Sequence, residues 1–222
     1  MNTYYISQSD SAISAIKRHL ESPDFYDGGH CARVSSWAVR FGKSLHLRRH
    51  DIEGLRVGGL VHDIGKMAIP DAILNKPGPL NREETHIVRQ HTVLGEQMCA
   101  QLASLHPILP MVRNHHERMN GTGYPDGLQG NAIPQTVRIL QMVDIFDALT
   151  NDRPYRKNLS RQQALSVLYD EADRGWLDRY LVNQFASFVI AAENTINFRN
   201  RKAIPVREEA PSRKSAIRSS RH

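Results

Sequence analysis

Residues 134–150, PQTVRILQMVDIFDALT, are apolar at so many positions that no continuous polar face is left. A helix that is apolar nearly all round belongs in the middle of a packed array, and Pro134 suits a helix start, where its fixed φ and missing N–H cost little. This segment predicts a central helix covered by others, and the rest of the chain supplies the cover. From His30 the positions Val34, Trp37, Phe41 and Leu45 form one helical stripe, and Ile52, Leu55 and Gly59 lead to His62 in a second helix. Asn81 with Glu84 makes a capping box, with Glu83 and Glu84 favourable against the helix dipole, ahead of a stripe of Ile87, Leu94, Met98 and Leu102. Ile108, Met111 and Val112 mark a further helix, Ser160 with Gln163 caps the next, and Asp178 opens the last, through Ala192. No alternating strand pattern exceeds a few residues, and nothing repeats at a fixed period. The predicted fold class is all-α, a compact orthogonal or bundle-like array.

A chain of 222 residues holds one generous domain with a substantial core. The formal charge of +6 invites a nucleic-acid reading, but its location argues against one. Residues 199–222 hold eight Lys or Arg against Glu208 and Glu209; taking these from totals of 29 and 23 leaves 21 of each sign in residues 1–198. The body is neutral and the excess is a tail. That tail has few large apolar residues and two prolines, so it is expected to be disordered, a solvated terminus or a basic arm for a partner. The expected organisation is an N-terminal helical extension over 1–23, a main folded domain over 24–196 and a flexible basic tail over 197–222. The extension is too short to be a domain of its own.

Cys31 and Cys99 are too few and too isolated for a disulfide framework. The first residues lack the charge and apolar run of a signal peptide, and the densest apolar run, Phe185 to Ala192, falls short of the ~20 residues of a membrane span. A cytoplasmic protein with no membrane span is expected.

The informative residues are polar ones at positions where the pattern asks for apolar ones. His30 opens the Val34, Trp37, Phe41 stripe; His91 interrupts the stripe after Ile87; Asp144 lies inside the central helix; His62 and Asp63 end an apolar helix; and His115 follows Val112 at i+3. A buried carboxylate costs several kcal/mol unless it is paired or bound to a metal. Any one such histidine reads as a satisfied core residue, but their joint occurrence points to a common site. Imidazole and carboxylate without thiolate suit first-row ions such as iron or manganese, with zinc also compatible, and disfavour a structural cysteine site. Neighbours on a helix diverge by about 100°, so the adjacent pairs His62-Asp63 and His115-His116 suggest more than one ion. Two ions ~3.5–4 Å apart can hold a bridging hydroxide and stabilise both oxygens of an in-line displacement at phosphorus. Lys66, three residues beyond Asp63, is placed to offset charge on a phosphate.

These residues fall within longer stretches that resemble a known family. VHDIGKMAIPDAIL (61–74) and HHERMNGTGYPDG (115–127), together with GGHCARV, KPGPLNREE, RQHTVLGEQM, RILQMVDIFDALT and NDRPYRK, are similar in order and spacing to the HD-GYP branch of the HD-domain metallohydrolases, over roughly residues 24–192. The resemblance implies a helical HD-domain array and a bacterial signalling phosphodiesterase that hydrolyses cyclic di-GMP to linear pGpG and in many members to GMP. It implies a binuclear centre of two divalent ions, Fe or Mn before Zn, Ni, Co or Mg, held by His30, His62, Asp63, His91, His115, His116 and Asp144, with Asp63 bridging. It gives Asp63 and Lys66 catalytic roles, and Lys66, Arg153 and Arg156 contacts to the nucleotide; Tyr124 either packs on a guanine or anchors its loop. Two departures stand out. Tyr26 occupies the place where some members carry a glutamate for a third metal, which favours two ions and leaves the second cleavage open. Met119-Asn120 replaces the usual Trp-Asp, and asparagine still supports a turn before Gly121.

Rival readings are another cyclic dinucleotide such as cyclic GMP-AMP, a cyclic-dinucleotide receptor with little turnover that passes its signal to a protein partner, and a generic HD nucleotidase, which the GYP and RPYR segments disfavour. A homodimer is compatible with all of them. A specific nucleic-acid polymer is not expected.

Overall fold

The structure is a computed structural model that describes residues 29–152 and 157–202, of which 193–202 by backbone only. Among the described residues it is all-α, as expected, with no strand and one isolated antiparallel bridge between Asn120 and Gln129. The helices are α1 His30–Ser44, α2 Arg49–Val61, α3 Asp71–Leu74, α4 Arg82–Arg89, α5 His91–Cys99, α6 Leu109–Asn114, α7 Gln135–Thr150, α8 Arg161–Asp173 and α9 Arg179–Lys202. Short 3-10 turns cover Ile64–Ala68, Ala103–Ile108 and Gly130–Ala132. No helix among them is long and apolar enough to cross a membrane.

The segment 134–150 is the central helix: α7 buries Val137, Ile139, Leu140, Met142, Val143, Phe146 and Leu149. Helices α1, α2, α6, α8 and α9 all touch it. Pro134 sits one residue outside its first turn, at the N-cap. On one side α1, α7 and α9 share an aromatic core, in which Phe185 meets Phe41 and Phe146 edge-on, each at 5.0 Å between ring centroids. Trp37 packs edge-on against Phe146 at 5.4 Å. Burying such a ring contributes about 1.5–3 kcal/mol, and each edge-on pair about 0.5–1.5 kcal/mol more.

Both expected capping boxes form, Asn81 with Glu84 and Ser160 with Gln163. Asp178 accepts from the amides of Tyr180 and Leu181 and so opens α9. Two expectations differ from what is observed. The stripe from Ile87 to Leu102 is not one helix, because it breaks at Gln90 into α4 and α5. There the His91 ring and the Thr92 hydroxyl take the carbonyls of Val88 and Arg89, competing with the continuing helical ladder. At the other end, α9 does not stop near Ala192 but runs to Lys202, so residues 197–202 of the expected tail are helical. Residues 1–28 and 203–222, with the remaining extension and tail expectations, lie outside the described residues.

The architecture gathers helix ends around α7. His30 is the first residue of α1, His62 follows the last residue of α2, His91 begins α5 and His115 follows α6. Gly65 holds the turn after α2 against α5, since a Cβ there would overlap the His91 carbonyl. Only glycine permits that approach.

Candidate metal centre

The seven side chains selected from the sequence converge in two groups: Asp63, His91, His115 and His116, and beside them His30, His62 and Asp144. Within each group the candidate ligand atoms lie within 4.8 Å of one another. The carboxylate of Asp63 spans both. Its Oδ1 is 3.3 Å from His91 Nε2 and 3.8 Å from His115 Nε2, while Oδ2 is 3.5 Å from His62 Nε2. Asp144 Oδ1 lies 2.9 Å from His30 Nε2 and 3.8 Å from His62 Nε2. The pair His62-Asp63 therefore divides between the groups, as its divergence on a helix end suggests. The pair His115-His116 does not: α6 ends at Asn114, and both rings turn into the same group with centroids 4.2 Å apart.

The donor set fits divalent metal ions. The Nδ1 atoms of His62, His91 and His115 lie 3.0, 2.7 and 2.9 Å from the carbonyls of Gly59, Val88 and Val112, and Nδ1 of His30 lies 2.7 Å from Asp147. With Nδ1 donating, each ring keeps Nε2 for the centre, the arrangement that orients histidine ligands. Two atoms facing the centre, His62 Nε2 and Asp63 Oδ1, are buried without a hydrogen-bond partner. Orphaned buried polar atoms are costly, and a cation between the groups would satisfy both.

Electrostatics agree with this donor character at the two carboxylates and at His91 and His116, whereas the carboxylates beside His30 and His62 raise those two rings. Burial would raise the Asp63 carboxyl, but the Lys66 ammonium and the His62 ring hold it well below the usual carboxylate range. Burial acts likewise on Asp144, which His30 and His62 keep well below that range. Burial, opposed by Asp63 and reinforced by His115, pushes the His91 ring down to about 4, and burial with His115 also drives His116 down. Those two rings are neutral at pH 7, the form in which imidazole binds metal. For His30 burial lowers the pKa, but hydrogen bonds to Asp144 and Asp147 outweigh it and raise the ring to about 9.

Lys66 sits on the 3-10 turn after Asp63, with Nζ 2.5 Å from Asp63 Oδ2. A 3-10 turn brings i and i+3 side by side, so the expected proximity arises without a continued α-helix. Tyr124 lies flat against the His116 ring, with centroids 4.8 Å apart and planes inclined by 24°, and the Arg89 guanidinium lies 4.8 Å from its centre. Arg153, Arg156 and Tyr26 fall outside the described residues.

Residues that sequence reasoning passed over support the site. Glu117 is completely buried, and its carboxylate accepts the amides of Asp126 at 2.7 Å, Gly127 at 3.0 Å and Leu128 at 3.1 Å, folding the loop back onto the histidine pair. Gly121 takes φ 78°, and a Cβ on Gly123 would strike the backbone of Glu117 and Arg118. Asn120 accepts from the Thr122 amide at 3.1 Å, so the turn survives the departure from the family pattern. Asp147, also completely buried, stands behind His30. Its signal was present one turn after Asp144 in the apolar segment, whereas Glu117 lay hidden in a stretch that reads as loop.

Comparison with known proteins places these observations in a family. The HD domain family model matches residues 14–181. A 3′3′-cGAMP-specific phosphodiesterase of Vibrio cholerae is 35% identical over 156 residues, 70% of this chain and 34% of that protein. A cyclic di-GMP phosphodiesterase of Pseudomonas aeruginosa is 35% identical over 175 residues, 78% of this chain and 41% of that protein. The chain thus spans about a third to two fifths of the length of these relatives. A solved cyclic GMP-AMP phosphodiesterase structure from Vibrio cholerae shares the fold, with a TM-score of 0.60 at 19% identity over 82% of this chain and 48% of that one. An HD-GYP-type protein from Bdellovibrio bacteriovorus does so with a TM-score of 0.58 at 16% identity, over 83% and 63%.

Proposed function

For a chain that belongs to the HD domain family, we propose the activity of a metal-dependent phosphodiesterase that hydrolyses cyclic di-GMP to linear pGpG. The observation that carries this reading is the pair of adjoining imidazole and carboxylate groups that share Asp63, with Lys66 against the shared carboxylate. Two divalent ions, iron or manganese, are the proposed cofactors, with His30, His62 and Asp144 holding one, His91, His115 and His116 the other, and Asp63 both. Bound there, such ions supply Lewis-acid polarisation of a phosphate oxygen and a nucleophile at neutral pH.

The chain's own residues do the rest. The anchored rings keep their orientation as substrate enters, so the centre needs little reorganisation during reaction. Lys66 places a cation where negative charge grows on the phosphate. Hydrolysis adds water across a P–O3′ bond, oxygen to phosphorus and proton to the departing 3′ oxygen. Tyr124, packed on His116 and flanked by Arg89, acts as the anchor of its loop beside the substrate. Arg153 and Arg156 are proposed to grip the second phosphate, for which a guanidinium fork is suited. The catalytic unit is proposed to cover residues 24–196.

A second reading, 3′3′-cyclic GMP-AMP as substrate, draws support from a relative that carries that specificity in its name. Purified protein loaded with Mn²⁺ or Fe²⁺ and incubated with cyclic di-GMP, 3′3′-cyclic GMP-AMP and cyclic di-AMP, with products separated by chromatography, tests both. A linear dinucleotide from cyclic di-GMP supports the first reading, and product from cyclic GMP-AMP alone supports the second. Binding of any of the three without product overturns the enzyme in favour of a receptor.

A further inference from the structure

The histidines of the centre are not all backed by the same kind of acceptor. Those at 62, 91 and 115 rest on main-chain carbonyls, which are neutral. His30 rests on the Asp147 carboxylate at 2.7 Å. Asp147 is itself pinned: Arg33 reaches Oδ1 through Nε at 2.9 Å and Oδ2 through its terminal nitrogen at 3.0 Å, and Asn151 donates to Oδ1 at 2.9 Å. These donors fix the carboxylate plane and with it the His30 ring. A carboxylate behind an imidazole strengthens the opposite nitrogen as a ligand, and losing such an outer partner costs about 10–100-fold in metal affinity. Lys66 does not separate the two groups, because the Asp63 carboxylate it approaches at 2.5 Å is shared by both, and the oxygen it meets is the one facing His62.

We propose that Asp147 is a positioning residue that acts through His30 and makes the His30, His62, Asp144 group the tighter of the two metal positions, filled first. The inference rests on the ligand reading above and adds an order of filling and a residue that sets it. The test is titration of the metal-free full-length chain with Mn²⁺ alone, followed by calorimetry and by the paramagnetic resonance of free Mn²⁺. The wild type is expected to bind in two steps. Asp147→Asn is expected to weaken the tighter step by about 10–100-fold and leave the weaker one in place, with an unchanged circular dichroism spectrum. In a His30→Ala background the same substitution should have no further effect. Asp147→Ser, small enough to admit water behind His30, is the second variant should the asparagine chain not fold. A folded Asp147 variant with both steps unchanged, or both weakened alike, overturns the inference while leaving the ligand reading standing. A wild-type chain that takes up no Mn²⁺ overturns the ligand reading itself, and the inference with it.

Discussion

Helices α1 and α7 each take part in two buried regions of opposite character. Along α1, Trp37 and Phe41 meet aromatic rings and His30 meets carboxylates; along α7, Phe146 belongs to the first region and Asp144 and Asp147 to the second. Each ring of the aromatic core finds its partners in other rings, and among the described residues none of these rings has a buried polar atom without a partner. The polar centre is largely buried too, yet it keeps His62 Nε2 and Asp63 Oδ1 without partners. Burial of apolar surface stabilises on its own, whereas burial of ligands waits for something from outside the chain. The first region holds the fold together, and the second draws on that stability.

Several substitutions would break or sharpen this contrast. The largest effect is expected from Asp63→Asn. Because Asp63 adjoins both groups, turnover should fall by more than the about 100-fold an outer-shell partner is worth, while the metal-free thermal transition moves by only a few degrees; activity assays and calorimetry read the two. Phe185→Ala should do the reverse. It should lose about 3–5 kcal/mol of stability, a drop of about 10 °C in Tm, with metal stoichiometry unchanged below the transition. An equal loss of metal binding in the cold would sink the idea that the regions are separate.

Glu117→Gln comes next in size. The amide cannot accept three N–H donors as the carboxylate does, and hydrogen bonds to a charged group are worth about 1.5–3 kcal/mol. The expected result is a stability loss of about 2 kcal/mol together with faster proteolysis within 118–128, which peptide mapping reports. The smallest effect concerns Asp126, whose carboxyl the Arg113 guanidinium, with Asn114, holds below its usual value. A depressed carboxylate contributes stability above its unfolded pKa, and that contribution disappears as pH falls through the folded value. The pair is partly exposed, so Asp126→Asn should cost a few tenths of a kcal/mol at pH 7 and less as the pH falls below the usual carboxylate range; melting curves at pH 7 and pH 3 check the sign.

Much of this contrast is legible in the chain. Periodicity reveals helices wherever one face is apolar, and capping boxes mark two of their starts. The ligands are legible for the same reason in reverse, since Asp144 and His91 break patterns that are otherwise regular. What periodicity could not convey is competition by side chains for backbone groups. Val88 looks like mid-helix because the apolar stripe runs on, but His91 takes its carbonyl and the helix breaks. Asp147 escaped notice because one acidic residue in an apolar segment had already been accounted for. Glu117 escaped because its partners are amides, which leave no trace in a sequence. The far end of α9 reads as tail because its side chains are charged, although charge does not prevent a helix from continuing.

Two of the rings, at 62 and 115, are tied to a carbonyl three residues earlier in the helix they follow, whereas His91, the first residue of α5, is tied to Val88 of α4. The first two are pegs set in the tips of their own rods, so their aim travels with those rods, while the third is tied across the joint between two. A pull on the outside of the molecule that slides one rod past another would alter the gap between the first two pegs long before it turned either of them. Distance, not direction, is the variable through which a remote event could reach the metals.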